Sequence, residues 1–295
     1  MSQEEKKSMS ANTINICGLS LKNPVITASG TFTARESEKY YDISLPGAVT
    51  TKGVTIDPRH GNPTPRIAET WGGMLNSVGL ENPGVDVYII DELAYLKSKG
   101  ITVIANIAGN TVDDYCAVAE KLSKTNVDML ELNVSCPNVT HGGMAFGTDP
   151  EILADLTGRI KNLSDKPVIV KLTPNVTDIC AIARAAEDAG ADAISLINTL
   201  LGMRIDIKTG KPVLANVTGG LSGPAIKPVA LRMVYQVSEL VKIPVIGMGG
   251  IMTGEDVLEF LAAGAMAVAV GTAALIDPGA PARIIKEFEE LNSPK

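Results

Sequence analysis

The chain has 295 residues, 45% of them hydrophobic, and one barrel of roughly 250 residues plus excursions would account for it. Its 26 basic and 33 acidic residues leave a formal charge of −7, which argues against a broad nucleic-acid surface, and an aromatic share of 4% is too low for a base-stacking platform. The four cysteines, Cys17, Cys116, Cys136 and Cys180, form no CxxC pair and His60 and His141 stand far apart, so no zinc or iron–sulfur ligand set is recognisable and no metal is expected.

From the N-terminus, the polar stretch of residues 1–12 is expected to be disordered, and residues 13–295 to form a single domain. Thr13–Leu21 reads as a small hairpin turning at Gly18, placed to plug the bottom of a barrel. Eight apolar runs follow: Pro24–Gly30, Ala48–Val54, Thr102–Gly109, Met129–Pro137, Pro167–Asn175, Ala193–Leu200, Pro244–Ile251 and Ala267–Leu275. Near-continuous apolar runs suit parallel strands covered on both faces. Amphipathic stretches such as Val112–Lys124, Val176–Ala189 and Gly254–Ala263 read as helices between them. Eight β-then-α units fit a closed barrel or a doubly wound sheet; eight is the closed-barrel number, so an α/β fold of the (β/α)8 TIM barrel type is expected.

Two connections are long, Thr55–Val85 and Leu201–Lys227, and Asn138–Asp149 is intermediate. Each follows a strand and so belongs on the C-terminal face, where barrel active sites lie. The longest uncharged run, Phe260–Ile276, is interrupted by Gly264 and Gly271 and reads as helix end, turn and strand rather than a membrane helix. Free cysteines with no signal peptide or hydrophobic anchor indicate a reducing cytoplasm.

Polar residues gather at the C-terminal ends of these strands. Thr51 and Lys52 end the second, Asn106 lies in the third, and Glu131-Leu-Asn133-Val-Ser135-Cys136-Pro-Asn138 ends the fourth. Lys171 lies in the fifth, and Asn198 and Thr199 end the sixth. A lone lysine in an apolar strand can simply snorkel to solvent. Two lysines with asparagines on three other strands point instead to a cavity for an anionic, hydrogen-bonding planar ligand. No GxSxG elbow or Ser/His pair suggests a hydrolase.

The seventh strand ends Gly247-Met-Gly249-Gly250-Ile251 and the eighth Val270-Gly271-Thr272-Ala273. Glycines there let the backbone approach a phosphate, the usual site in this fold, although ordinary tight turns would look similar. The GxGxxG order of a dinucleotide fingerprint is missing. Cys136 stands at a strand end among Asn133, Ser135 and Asn138, a polar setting in which a thiol with an ordinary pKa of about 8.5 can take a proton. Cys17 falls in the hairpin, and Cys116 and Cys180 within helices.

Four segments carry a resemblance: Asn-Val-Ser-Cys-Pro-Asn-Val-Thr-His-Gly-Gly, Ala-Ser-Gly-Thr-Phe, Arg-His-Gly-Asn-Pro-Thr-Pro-Arg and Leu-Asn-Ser-Val-Gly-Leu-Glu-Asn-Pro-Gly. Together, from about Ile14 to the end, the chain resembles the class 1 dihydroorotate dehydrogenases. The cysteine, in place of serine, resembles class 1 and not the membrane-bound class 2. The Thr-His-Gly-Gly continuation is most similar to subclass B, the catalytic subunit of an NAD-linked enzyme. Glu81 departs from the glutamine expected there, just past the substrate segment.

The resemblance implies oxidation of dihydroorotate to orotate in pyrimidine biosynthesis, with FMN as cofactor. It implies FMN contacts at Ser29, Lys52, Gly53, Asn106, Asn133, Lys171, Ile197, Gly223, Gly249, Gly250, Gly271 and Thr272. Substrate would meet Lys52, Asn76, Ser77, Val78, Gly79, Leu80, Asn133, Asn198 and Thr199. Cys136 would remove the C5 proton while C6 delivers hydride to the flavin, and Lys171 would stabilise the charge that develops on it. The loop carrying Cys136 would close over the substrate. Electrons would pass to NAD through a partner subunit holding FAD and an iron–sulfur cluster, around a homodimer core. Subclass A with fumarate, a dihydropyrimidine-type dehydrogenase, and a barrel retained only for ligand binding are the alternatives. Neither nucleic acid nor a membrane is an expected partner.

Overall fold

The computed structural model describes residues 12–135 and 146–293. Its centre is an eight-stranded parallel sheet: β1 (Val25–Thr27), β2 (Val49–Thr50), β3 (Val103–Ile107), β4 (Met129–Asn133), β5 (Val168–Lys171), β6 (Ala193–Leu196), β7 (Val245–Met248) and β8 (Ala267–Val270). The order β1-β8-β7-β6-β5-β4-β3-β2 runs once round the sheet. A parallel bridge between Ile26 and Ala48, with the Gly47 amide donating to the Val25 carbonyl at 2.8 Å, closes β1 onto β2. Each of the eight expected strand runs contains one of these strands.

Helices cover the outside: α1 (Ala34–Ser37), α2 (residues 85–98, with a π-helical middle), α3 (Val112–Ser123), α4 (Pro150–Leu163), α5 (Ile179–Asp188), α6 (Lys227–Ser238), α7 (Gly254–Ala262) and α8 (Ala280–Asn292). Side chains start the longer ones. Thr111 accepts from the Asp114 amide while Asp114 accepts from that of Thr111, and Thr253 and Asp256 repeat this reciprocal box at α7. Asp149 and Asp178 cap α4 and α5.

The strands look uniformly apolar because both faces are buried, yet they alternate. Val103, Leu130, Leu132, Val168, Val170, Ile194 and Leu196 pack outward under the helices. Ile104, Met129, Ile169, Ala193, Ile246 and Ala267 fill the barrel interior. Ile16 and Leu21 of the N-terminal hairpin (Ile14–Ile16 with Leu19–Leu21) join this interior cluster, so the hairpin does seal the bottom. Its turn is Cys17-Gly18, both with positive φ, 52° and 83°. Above the apolar layer the same inward positions become Asn106, Glu131, Lys171 and Ser195, all buried.

The two long excursions are not irregular lids. Ile67–Thr70 and Gly73–Asn76 from the first pair with Leu200–Met203 and Thr218–Ser222 from the far side of the chain in a four-stranded antiparallel sheet. The expected disorder of residues 1–12 falls outside the described residues, apart from Asn12, whose side chain accepts from Asn292 at 2.9 Å. Within the described residues no helix is long and apolar enough to cross a membrane.

Candidate active site

Two adjoining cavities open at the C-terminal end of the barrel. The first, about 280 Å³, lies between the strand ends and the antiparallel sheet. Every residue expected at the cofactor lines it: Ser29, Lys52, Gly53, Asn106, Asn133, Lys171, Ile197, Gly223, Gly249, Gly250, Gly271 and Thr272. The second, about 560 Å³, is lined by every residue expected at the substrate: Lys52, Asn133, Asn198, Thr199 and the run Asn76, Ser77, Val78, Gly79 and Leu80. Lys52, Asn133, Asn198 and Thr199 border both, so a ligand in one lies beside a ligand in the other.

The glycine-ended side of the first cavity has the features a phosphate needs. Gly249 and Gly250 have φ of 123° and 81°, conformations that L side chains rarely adopt. A Cβ on Gly250 would stand 2.7 Å from the Cβ of Lys227. Among the described residues the amides of Gly249, Gly250, Gly271 and Thr272 donate to no backbone carbonyl, which leaves donors for an anion. Thr272 donates its hydroxyl to that of Ser222 at 2.8 Å, across the gap between β8 and the antiparallel sheet.

The floor is a buried polar network. Lys171 donates to the Ser29 hydroxyl at 3.0 Å and lies 3.8 Å from the Glu131 carboxylate. Glu131 accepts from the Asn106 amide nitrogen at 2.6 Å and from the Ser195 hydroxyl at 2.8 Å. The Asn106 Oδ1 is buried with no hydrogen-bond partner among the described residues. Such an orphan acceptor, beside a buried ammonium and a rim of open amides, fits a large planar anion with N–H groups, and a flavin mononucleotide has that chemistry. Read from the sequence, Glu131 stands at its strand end without a role, and Ser195 is not named as a candidate. The signal was there: a glutamate inside an apolar strand, at the inward position two residues before Asn133.

Over the second cavity, Asn198 donates to Asn133 Oδ1 at 3.3 Å, and Asn175 bridges the Thr199 carbonyl (3.0 Å) and the Leu201 amide (2.8 Å). Gly79 and Leu80, which line this cavity, both have positive φ, 79° and 56°. Cys136, and with it the loop expected to close over the substrate, lies outside the described residues; the chain is described again from Phe146, which packs edge-on against Tyr115. The other cysteines lie elsewhere. Burial pushes the Cys17 thiol up to about 11 and raises those of Cys116 and Cys180, the wrong direction for a base.

A (β/α)8 barrel with a lysine-bearing cavity at the C-terminal ends of its strands has the arrangement of a barrel enzyme. The family model for dihydroorotate dehydrogenase matches residues 11–291. The chain is similar to the "dihydroorotate dehydrogenase B (NAD(+)), catalytic subunit" of Alkaliphilus metalliredigens, with 61% identity over 94% of this chain and 92% of the relative. Proteins of the same description from Anoxybacillus flavithermus (58% identity, 94% and 90% coverage) and Bacillus cereus strain G9842 (60%, 94% and 91%) match as well. The chain therefore belongs to the dihydroorotate dehydrogenase family, in its class 1, subclass B branch.

Proposed function

We propose that this protein oxidises dihydroorotate to orotate as an FMN-dependent catalytic subunit and hands the electrons to NAD through a separate FAD- and iron–sulfur-containing partner. The observation that carries the reading is the pair of adjoining cavities, one lined by the whole expected cofactor set and the other by the whole expected substrate set. When bound, FMN supplies the hydride acceptor. The residues that would hold it are Gly249, Gly250, Gly271 and Thr272 at the phosphate, and Asn106, Lys171 and Ser29 at the ring.

In this reading Lys52 supplies the positive charge for the substrate carboxylate, and the asparagine amides offer donors and acceptors to the imide groups. Cys136 takes the C5 proton as the C6 hydride leaves, and the proton then passes to solvent. Ile67 and Leu275 line the first cavity yet are 53% and 51% exposed, and Ile276, next in the chain to Leu275, is 64% exposed. An apolar rim at the cofactor mouth supports an electron-accepting protein partner. The cytoplasm is the proposed location, and a homodimer bearing two partner subunits the proposed assembly.

The test is turnover of dihydroorotate by the isolated chain with an artificial dye, with orotate identified by chromatography. Denatured protein should release FMN and not FAD. Failure to form orotate in flavin-loaded protein would overturn the reading. Brisk fumarate reduction would move the protein to the subclass A activity.

A further inference from the structure

We propose that Glu131 is a positioning residue of the redox site: it holds the Asn106 side chain in one orientation, offsets the charge of Lys171, and so sets the reduction potential of the bound flavin. The inference rests on the flavin reading above.

Glu131 sits at an inward position of β4 and is 2% exposed. It does not line the cavity, but the two groups it holds, Asn106 and Lys171, do. A carboxylate only accepts hydrogen bonds, so the Asn106 side chain must turn its nitrogen to Glu131, and the 2.6 Å contact has that polarity. The oxygen of Asn106 is then the atom left without a partner, and it is buried. Without Glu131, nothing in this contact would choose between the two amide orientations. With it, the amide is held in one orientation at a residue that lines the cavity.

The same carboxylate oxygen lies 3.8 Å from the Lys171 ammonium. A lone buried ammonium would strongly stabilise negative charge on a neighbouring ring system. A carboxylate 3.8 Å from it cancels part of that field. Buried ion pairs are often replaceable by apolar side chains at no loss of stability, so stability alone is a poor reason for one here. Ser195 donates to the second carboxylate oxygen at 2.8 Å and so holds the group in place from the adjoining part of the barrel.

The experiment is the midpoint potential of the bound flavin, measured spectroelectrochemically in purified Glu131→Gln and Glu131→Asp proteins. Glu131→Gln removes the charge and keeps the shape, so its potential should become more positive than the parent's. Glu131→Asp keeps the charge and should return the potential toward the parent's. A purely structural carboxylate would change the melting temperature of both variants and the potential of neither, and that result overturns the proposal. Should Glu131→Gln fail to fold or to hold flavin, the parent protein with ¹³C-labelled glutamate carries the test by redox-difference infrared spectroscopy. A glutamate carboxylate band should shift on flavin reduction, and a silent spectrum overturns the proposal. A parent protein that binds no flavin would instead overturn the flavin reading itself.

Discussion

Lys52 is the lysine that borders both cavities, so in the proposed reading its charge lies within reach of cofactor and substrate alike. Lys52→Met should weaken orotate binding by about 1.5–3 kcal/mol, the scale of a charge-assisted hydrogen bond, in a variant that still holds flavin. Titration with orotate checks this, and unchanged affinity would remove the lysine from the carboxylate. Cys136→Ala should slow flavin reduction by dihydroorotate about 10²-fold or more, the scale of a lost general base, while flavin stays bound. Stopped-flow absorbance reads it directly. Cys17→Ala and Cys180→Ala serve as controls, since neither thiol lines either cavity. Single residues were legible in the sequence where a polar side chain broke an apolar run, as Lys171 and Asn106 do. Glu131 broke its run in the same way, but only the fold reveals that it faces both of them.

At the scale of elements, the barrel strands were legible because burial on both faces leaves near-continuous apolar runs. The antiparallel sheet over the site was not. Its strands are four or five residues long, Thr-Gly-Gly-Leu-Ser carries no alternation, and Asn76 meets Gly220 from 144 residues away. No local pattern encodes such a pairing. The start of α7 offers a test of element stability. Burial alone would raise the Asp256 carboxyl, but Lys227 (2.6 Å) and the amides of Met252 and Thr253 outweigh it and hold the pKa below the ordinary value of 3.8. The stabilisation is therefore in place above pH 3.8 and lost as pH falls through the lower, folded-state value. Asp256→Ala should cost about 1–3 kcal/mol at neutral pH in urea unfolding, and the gap to the parent should close in acid. A gap that persists unchanged in acid would contradict this account of the box.

At the scale of the whole molecule, the question is where electrons leave. The chain has no GxGxxG fingerprint, and no group of histidine, cysteine and acidic side chains suited to a metal occurs among the described residues. In the two-subunit reading the isolated chain should reduce artificial dyes with dihydroorotate but scarcely reduce NAD, and the partner subunit should confer NAD reduction. Brisk NAD reduction by the chain alone, followed by absorbance, would contradict the two-subunit reading. The most direct test of the central claim is the visible spectrum of the purified chain, recorded without oxygen before and after dihydroorotate is added. The account predicts a yellow protein whose flavin absorbance bleaches as orotate forms. A protein that stays colourless after reconstitution with FMN, or one whose colour dihydroorotate leaves unchanged, would contradict it.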